Sequence, residues 1–239
     1  MNDSLGILVM KEHLDLAAAW FLRIAVRARV NILVTGPRNV NKIQLLNALG
    51  DIVPEAERMI VIESKLPLDI GRTNTPVWYA NSSKDKIDLI QTAVNMQTDR
   101  IIMSEIRGDE IEEYLEILSK GHNGGMSTYV SDDAKNAIER LAKLMPVEDH
   151  LNLPHYERML QQIVAASLEV IISIIPSNNG WMINTITEVS INNKMEIIYR
   201  HLFERDSSTQ VLQCLKFEPK FDEKRKRYNV RESWYEQST

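Results

Sequence analysis

Long apolar runs are absent from this sequence: nowhere do about eighteen consecutive apolar residues occur, so no membrane-spanning helix is predicted. No basic stretch followed by an apolar one opens the chain, which argues against an export signal. Cysteine is nearly missing too. With Cys214 alone, an intramolecular disulfide is excluded, and a reducing, cytoplasmic setting is the expectation, extending to the inner face of the cell membrane. Glycine (9) and proline (8) are too sparse for a linker-rich or fibrous chain. An excess of positive charge is also lacking, since 28 Lys and Arg stand against 33 Asp and Glu, for a net charge of −5. With a pI near 5.6 the field of such a chain repels a phosphodiester backbone, so nucleic acid is not an expected partner. One basic cluster, Lys224 to Arg227, sits beside Asp222 and Glu223 and reads as a solvated tail.

What is present is ordinary globular composition: 44% apolar and 26% charged over 239 residues, enough for one large domain with a sizeable core. Apolar spacing predicts a helix over 13–28, and a short strand over 31–35 enters Gly36 and Pro37. A helix over 42–49 and a continuous β-branched strand over 59–63 follow. Residues 64–80 mix Pro67, Gly71, Asn74 and Pro76 and read as an irregular excursion. Ser82 with Asp85 makes a capping box for the next helix, and Asp109 with Glu112 makes a second one after the strand 100–104. A strand over 126–130 and helices over 134–144 and 156–167 come next. The remainder turns to strands over 169–175, 181–190, 195–204 and 210–217, the first two joined by a hairpin at Asn178-Asn179-Gly180. Strands alternating with helices, then hairpins, give an α/β fold with a mainly parallel sheet extended antiparallel.

Residues 36–43 read GPRNVNKI between a predicted strand and a predicted helix. Gly36 and Lys42 have the separation of the first glycine and the lysine in the phosphate-loop pattern G-x-x-x-x-G-K-[ST]. In such a loop, backbone N–H groups and the helix N-terminus face the phosphates, the lysine meets the β and γ oxygens, and the final hydroxyl binds Mg²⁺. The nucleotide-contacting set is then Gly36, Pro37, Arg38, Asn39, Val40, Asn41, Lys42, Ile43 and Gln44. Asn41 stands for the second glycine. Asparagine tolerates left-handed backbone angles, so a partial anion nest is expected to survive. Ile43 stands for the hydroxyl residue and offers a metal no oxygen, leaving water or Gln44 to complete an octahedral shell.

Glu105 and Arg107 follow the predicted strand 100–104, and Glu63 closes 59–63 in the same way. Ligands of parallel sheets sit at such carboxyl ends. Two carboxylates converging there suit water activation and metal contact, although each equally suits a helix cap or a pair with Arg107. His122 opens the glycine-rich turn GHNGGMST, from which it is expected to face the same crevice.

Taken together, these segments resemble the secretion and pilus-assembly ATPases of type II and type IV systems, in particular the tight-adherence pilus branch, over residues 20–203. VRARVNILVTG is similar to that family's approach to its Walker A loop, ESK after IVI to its Asp box, and DRIIMSEIRG to its Walker B box. GHNGGMSTYVSDDAKNAIERL resembles its His box, and TITEV the strand that follows. The resemblance implies a RecA-like P-loop NTPase fold. It divides the chain into a helical lead-in over 1–30, the ATPase-type domain over 31–205, and a C-terminal strand and charged tail over 206–239. The family's separate N-terminal domain is expected to be missing. Carried over residue by residue, Lys42 is the phosphate lysine, Glu63 the catalytic glutamate, Glu105 the Walker B glutamate, Arg107 its neighbouring nucleotide-contacting arginine and His122 the phosphate-facing histidine. Ser64 stands where the family usually has aspartate, and Tyr129 where it has a second histidine. ATP is the implied cofactor, with Mg²⁺ deprived of its usual hydroxyl ligand at Ile43. The implied partners are secretion or pilus-assembly machinery at the cytoplasmic face of the membrane, in a homo- or hetero-oligomer that is hexameric in the family. Two functions stay open: a degenerate nucleotide-binding or scaffold subunit with weak or no hydrolysis, favoured by the loss at position 43, and an active Mg-dependent ATPase powering pilus assembly or secretion.

Overall fold

The structure, a computed structural model, describes residues 3–64, 67–145, 154–215 and 219–230. Two helices lead in, α1 (Ser4–Met10) and α2 (Leu16–Arg27), each started by an aspartate whose carboxylate accepts from the first turn: Asp3 from the Gly6 N–H, Asp15 from that of Ala18. β1 (Ile32–Gly36) and α3 (Lys42–Gly50) follow, then β2 (Met59–Glu63), the exposed β3 (Val77–Tyr79) and α4 (Ser83–Asn95). Next come β4 (Arg100–Met103), α5 (Glu110–Ser119), β5 (Met126–Val130), α6 (Ala134–Ala142) and α7 (Pro154–Ser167). β6 (Val170–Ser177), β7 (Gly180–Ile191), β8 (Ile197–Arg205), β9 (Leu212–Cys214) and α8 (Asp222–Arg227) complete the chain.

The nine strands form one sheet in the order β3-β2-β4-β5-β1-β6-β7-β8-β9. The first six places are parallel and the last three antiparallel. Strand side chains alternate between faces, so Ile32 and Val34 of β1 enter the core shared with α1, α2 and α3, while Leu33 enters the core shared with α4 to α7. The sheet is thus covered on both sides, as continuous apolar strands require.

The expected element types hold along most of the chain, and the capping box at Ser82 and Asp85 is formed. Ser177 pairs with Gly180, so Asn178 and Asn179 form the two-residue hairpin loop. Some expectations are corrected. The capping box at Asp109 and Glu112 is absent, because Asp109 has helical angles and makes no side-chain cap bond. The basic cluster is not a free tail: in α8, Lys224 Nζ donates to the Glu169 carboxylate at 2.5 Å, while Phe221 enters the first core. α1 was not expected, since its seven residues are too short and too uniformly apolar to show a period. The final strand is shorter than the predicted 210–217, of which 216 and 217 lie outside the described residues.

Two polar clusters fix the strands. Asn31, 3% exposed, lies at the amino end of β1. Its Oδ1 accepts from the N–H groups of Gly124 (2.7 Å) and Gly125 (3.2 Å), and its Nδ2 donates to the Ser167 carbonyl (2.9 Å), so one side chain ties β1 to the entries of β5 and β6. At the opposite pole, buried Lys86 of α4 donates to the Glu105 carbonyl at 2.8 Å and to the Glu110 carboxylate at 2.6 Å. The same Glu110 oxygen accepts from the Arg107 N–H at 2.8 Å, which fixes the turn between β4 and α5. Burial pushes the Glu110 carboxyl up, but the hydrogen bonds led by Lys86 outweigh it and hold the group below its ordinary value.

Asn31→Ala leaves buried backbone groups unpaired and is expected to cost about 2–3 kcal/mol, measured as a lower urea midpoint at unchanged slope. Lys86→Met strands a buried carboxylate and is expected to cost about 3–5 kcal/mol, most of it recovered in Lys86→Met with Glu110→Leu. Because the folded value of Glu110 is depressed, its stabilisation is complete above the ordinary 4.5 and fades as pH falls through the lower folded value. The stability difference between the wild type and the double variant should therefore narrow only in that acid range, followed by denaturant titration at successive pH values.

Candidate functional site

β1 ends in Gly36 where β6 crowds it, since a Cβ there would lie 2.7 Å from the Ile174 carbonyl oxygen. The chain then turns through residues 37–41 into α3. Lys42, 5% exposed, folds back so that Nζ donates to the carbonyls of Pro37 (2.7 Å) and Gly36 (3.2 Å). Burial lowers its pKa, and the Glu105 carboxylate partly opposes that shift. Asn41 has φ −82° and caps α3, its Oδ1 accepting from the Gln44 N–H at 3.2 Å. The expectation of a left-handed asparagine completing an anion nest is therefore corrected: no residue from 36 to 44 has positive φ. The cap also occupies one of the helix N–H groups that an anion would otherwise use.

Above this loop the carboxyl pole of the sheet opens into a cavity of about 730 Å³. Its walls bring together Arg38, Asn39, Val40, Asn41, Lys42 and Ile43 from the loop with Glu105 and Arg107 from the end of β4. Tyr129 and Val130 of β5, level with Thr35 and Gly36 of β1, form another side, and Arg140 and Leu144 close it. Hydroxyl bonds stitch this pole: Thr35 Oγ1 donates to the Ser131 carbonyl at 2.8 Å and Thr128 Oγ1 to that of Ser104 at 2.6 Å. Glu105 is 6% exposed and its carboxylate accepts from Arg107 Nε. The Arg140 guanidinium lies 5.7 Å from the Tyr129 ring centroid. Burial raises the pKa of the Tyr129 hydroxyl, which stays protonated and able to donate at neutral pH.

Other predicted site residues lie elsewhere. Gly36 and Pro37 underlie the cavity and hold Lys42 through their carbonyls. Glu63 ends β2 at the same pole but does not line the cavity: two strands separate β2 from β1, about 14 Å of sheet. Its carboxylate accepts from the Leu68 N–H instead, so Glu105 borders the cavity without Glu63. His122 is a further correction. It precedes β5, whose first residue pairs with the first of β1, so it lies at the amino pole, in a separate depression with Glu113, Glu116 and Lys120. The His-box residue at the crest is Tyr129. Sequence reasoning missed Arg140 and Leu144, which reach the cavity through the packing of α6 and the turn after it and through no spacing pattern.

The donor set at the loop does not suit Mg²⁺. Ile43 offers no oxygen at the position where the pattern has a hydroxyl, and Gln44, the alternative, has its Oε1 accepting from Trp181 Nε1 at 2.8 Å. Trp181, buried in β7, is stacked on His13 with ring centroids 4.2 Å apart. Oxygens of Glu105, Glu63 and Asn41 already accept from Arg107, Leu68 and Gln44. Among the described residues no group of three or more His, Cys, Asp or Glu side chains is placed to hold a metal.

With this geometry, likeness to known proteins is informative. Residues 8–201 match the family described as Type II/IV secretion system protein. The Type IV secretion system protein PtlH of Bordetella pertussis is 30% identical over 166 residues, covering 65% of this chain and 49% of the relative. The conjugal transfer protein TrbB of Rhizobium radiobacter is 25% identical over 212 residues, 87% of this chain and 62% of the relative. The chain thus spans about half to three fifths of the length of these relatives. Among solved structures, the VirB11 ATPase of the Brucella suis type IV secretion system, crystallised with sulphate, superposes with a TM-score of 0.62 at 23% identity, over 78% of this chain and 57% of that one. That superposition bears out a RecA-like fold with its mainly parallel sheet. No helix among the described residues is long and apolar enough to cross a membrane. The matched span covers the strands, the loop and the cavity alike, and the chain belongs to the Type II/IV secretion system protein family, that of the secretion and pilus-assembly ATPases.

Proposed function

We propose that the chain is the motor-domain part of a type IV secretion or pilus-assembly ATPase that binds ATP in the cavity above β1 and hydrolyses it weakly or not at all, working as a subunit of the machinery. The observation carrying this reading is the pairing of a buried Lys42 with a cationic cavity at the sheet's carboxyl pole, beside a loop lacking both the second glycine and the metal-binding hydroxyl. Phosphoryl transfer depends almost wholly on positioning and electrostatics, so these losses harm turnover more than they harm binding.

In this reading Lys42 leaves its carbonyl partners to meet the phosphates, and the recovered Coulomb energy offsets the burial that depresses its pKa. Arg107 contacts the nucleotide, and Glu105 orients Arg107. Glu63 keeps a catalytic role only if its loop moves, because the Leu68 N–H holds it away. His122 has no part at the nucleotide. The partners in this reading are secretion or pilus-assembly components at the cytoplasmic face of the membrane, with the chain in a homo- or hetero-oligomer; the relatives' names place those proteins in type IV secretion and conjugal transfer.

The second reading, an active ATPase, is favoured by one observation: both Glu63 and Glu105 are retained at the same pole. Phosphate release from ATP by the purified chain in excess Mg²⁺ separates the two. The expected result is release no faster than that of Lys42→Ala, with ATP binding retained in the wild type and weakened about tenfold or more in that variant. Turnover that disappears in both Lys42→Ala and Glu105→Gln would establish the active enzyme and remove the degenerate one.

A further inference from the structure

The cavity is rich in fixed positive charge and poor in metal ligands. Among the described residues, four cationic side chains, Arg38, Lys42, Arg107 and Arg140, line it against one carboxylate, Glu105, an excess of three positive charges. They come from three separate parts of the fold: the loop with the start of α3, the turn after β4, and α6. Yet the whole chain is acidic, at net −5, so this concentration at one pole is not a reflection of composition. A compact polyanion is the complement of such a site.

Mg²⁺ ordinarily serves a triphosphate by neutralising two of its negative charges and anchoring it to the loop hydroxyl. Here the anchor position is the hydrocarbon of Ile43, and the neighbouring Gln44 oxygen is taken by Trp181. The neutralising function is available from guanidinium groups instead, whose planar donors match phosphate oxygens in pairs. Arg38 and Arg140 are exposed and have reach, and Arg140 is steered toward the cavity by its position over the Tyr129 ring.

Building on the reading of the cavity as a nucleotide site, we infer that it binds a nucleoside triphosphate as the metal-free polyanion, with Arg38, Arg107 and Arg140 supplying the countercharge that a divalent cation supplies elsewhere. Free triphosphate carries two more negative charges than its magnesium complex and gains more from three unbalanced cations. The site therefore favours the uncomplexed form. This also gives a physical reason for weak turnover, because the ligand that binds best is the one without the ion that polarises the transferring group.

The test is calorimetric titration of the full chain with ATP, once in excess EDTA and once in excess Mg²⁺. Affinity in EDTA is expected to equal or exceed that in Mg²⁺, and Arg140→Gln and Arg38→Gln are each expected to weaken the EDTA value by about tenfold, the size of one charge-assisted hydrogen bond. Circular dichroism and urea midpoints confirm that these exposed-residue variants stay folded. A further variant, Ile43→Thr, restores the missing oxygen and is expected to raise the affinity ratio of Mg²⁺ to EDTA. Binding at least tenfold tighter in Mg²⁺ in the wild type overturns the inference while leaving the nucleotide site intact, and so does EDTA binding that is indifferent to both arginine substitutions. Failure to bind in either buffer overturns the nucleotide reading and the inference with it.

Discussion

Inward of the exposed edge strand β3, the parallel strands packed between helices keep their side chains largely buried on both faces, so the backbone is satisfied along them and polar chemistry is confined to their ends. The cavity is a product of that confinement. β1 and β5 end level with each other, and Tyr129 near the end of β5, Glu105 past the end of β4 and Lys42 at the start of α3 face an opening. The hydroxyl bonds from Thr35 to Ser131 and from Thr128 to Ser104 hold that level, and the Lys86–Glu110 pair holds the turn that carries Glu105. Buried ion pairs add little net stability against a well-packed apolar substitute. What this one contributes is the position of a turn that has no regular structure of its own.

Three cations at the cavity rest on partners within the chain. Lys42 satisfies itself on two loop carbonyls, Arg107 rests on Glu105, and Arg140 rests on an aromatic face. Carbonyl oxygens and an aromatic face are weaker partners for a cation than a phosphate oxygen, so Lys42 and Arg140 can exchange them for an anion. Asn41 contributes by capping α3, a task glycine at that position performs less well.

Most of this architecture was legible in the sequence because its signals are local. A β-branched run marks β2 to the residue, the serine and aspartate of a capping box start α4, and Asn178-Asn179 closes a hairpin. The passage from β1 through a turn into α3 is marked by the gap between Gly36 and Lys42. What escaped reading depends on direction and not on spacing. A strand end is recognisable, but the way a glutamate turns at it is not, so Glu63 and Glu105 looked equivalent although one bonds its own following loop and the other borders the cavity. His122 was misplaced because a motif spans a whole strand: its first residue and Tyr129 lie at opposite poles of the sheet. Arg140 carries no local signal at all. The capping box at Asp109 failed because Glu110 was drawn back to Lys86 and the Arg107 N–H, a tertiary demand that overrode the local one.

The contact of Gln44 with Trp181 changes what kind of object the phosphate loop is. A loop with two glycines is a hinge whose shape is decided by whatever it grips. In this chain the first turn of α3 is bolted through an amide to an indole in the antiparallel wing, and that indole is sandwiched against His13 beside the leading helices. The loop is a braced cantilever, its entry into α3 tied to masonry on the far side of β6.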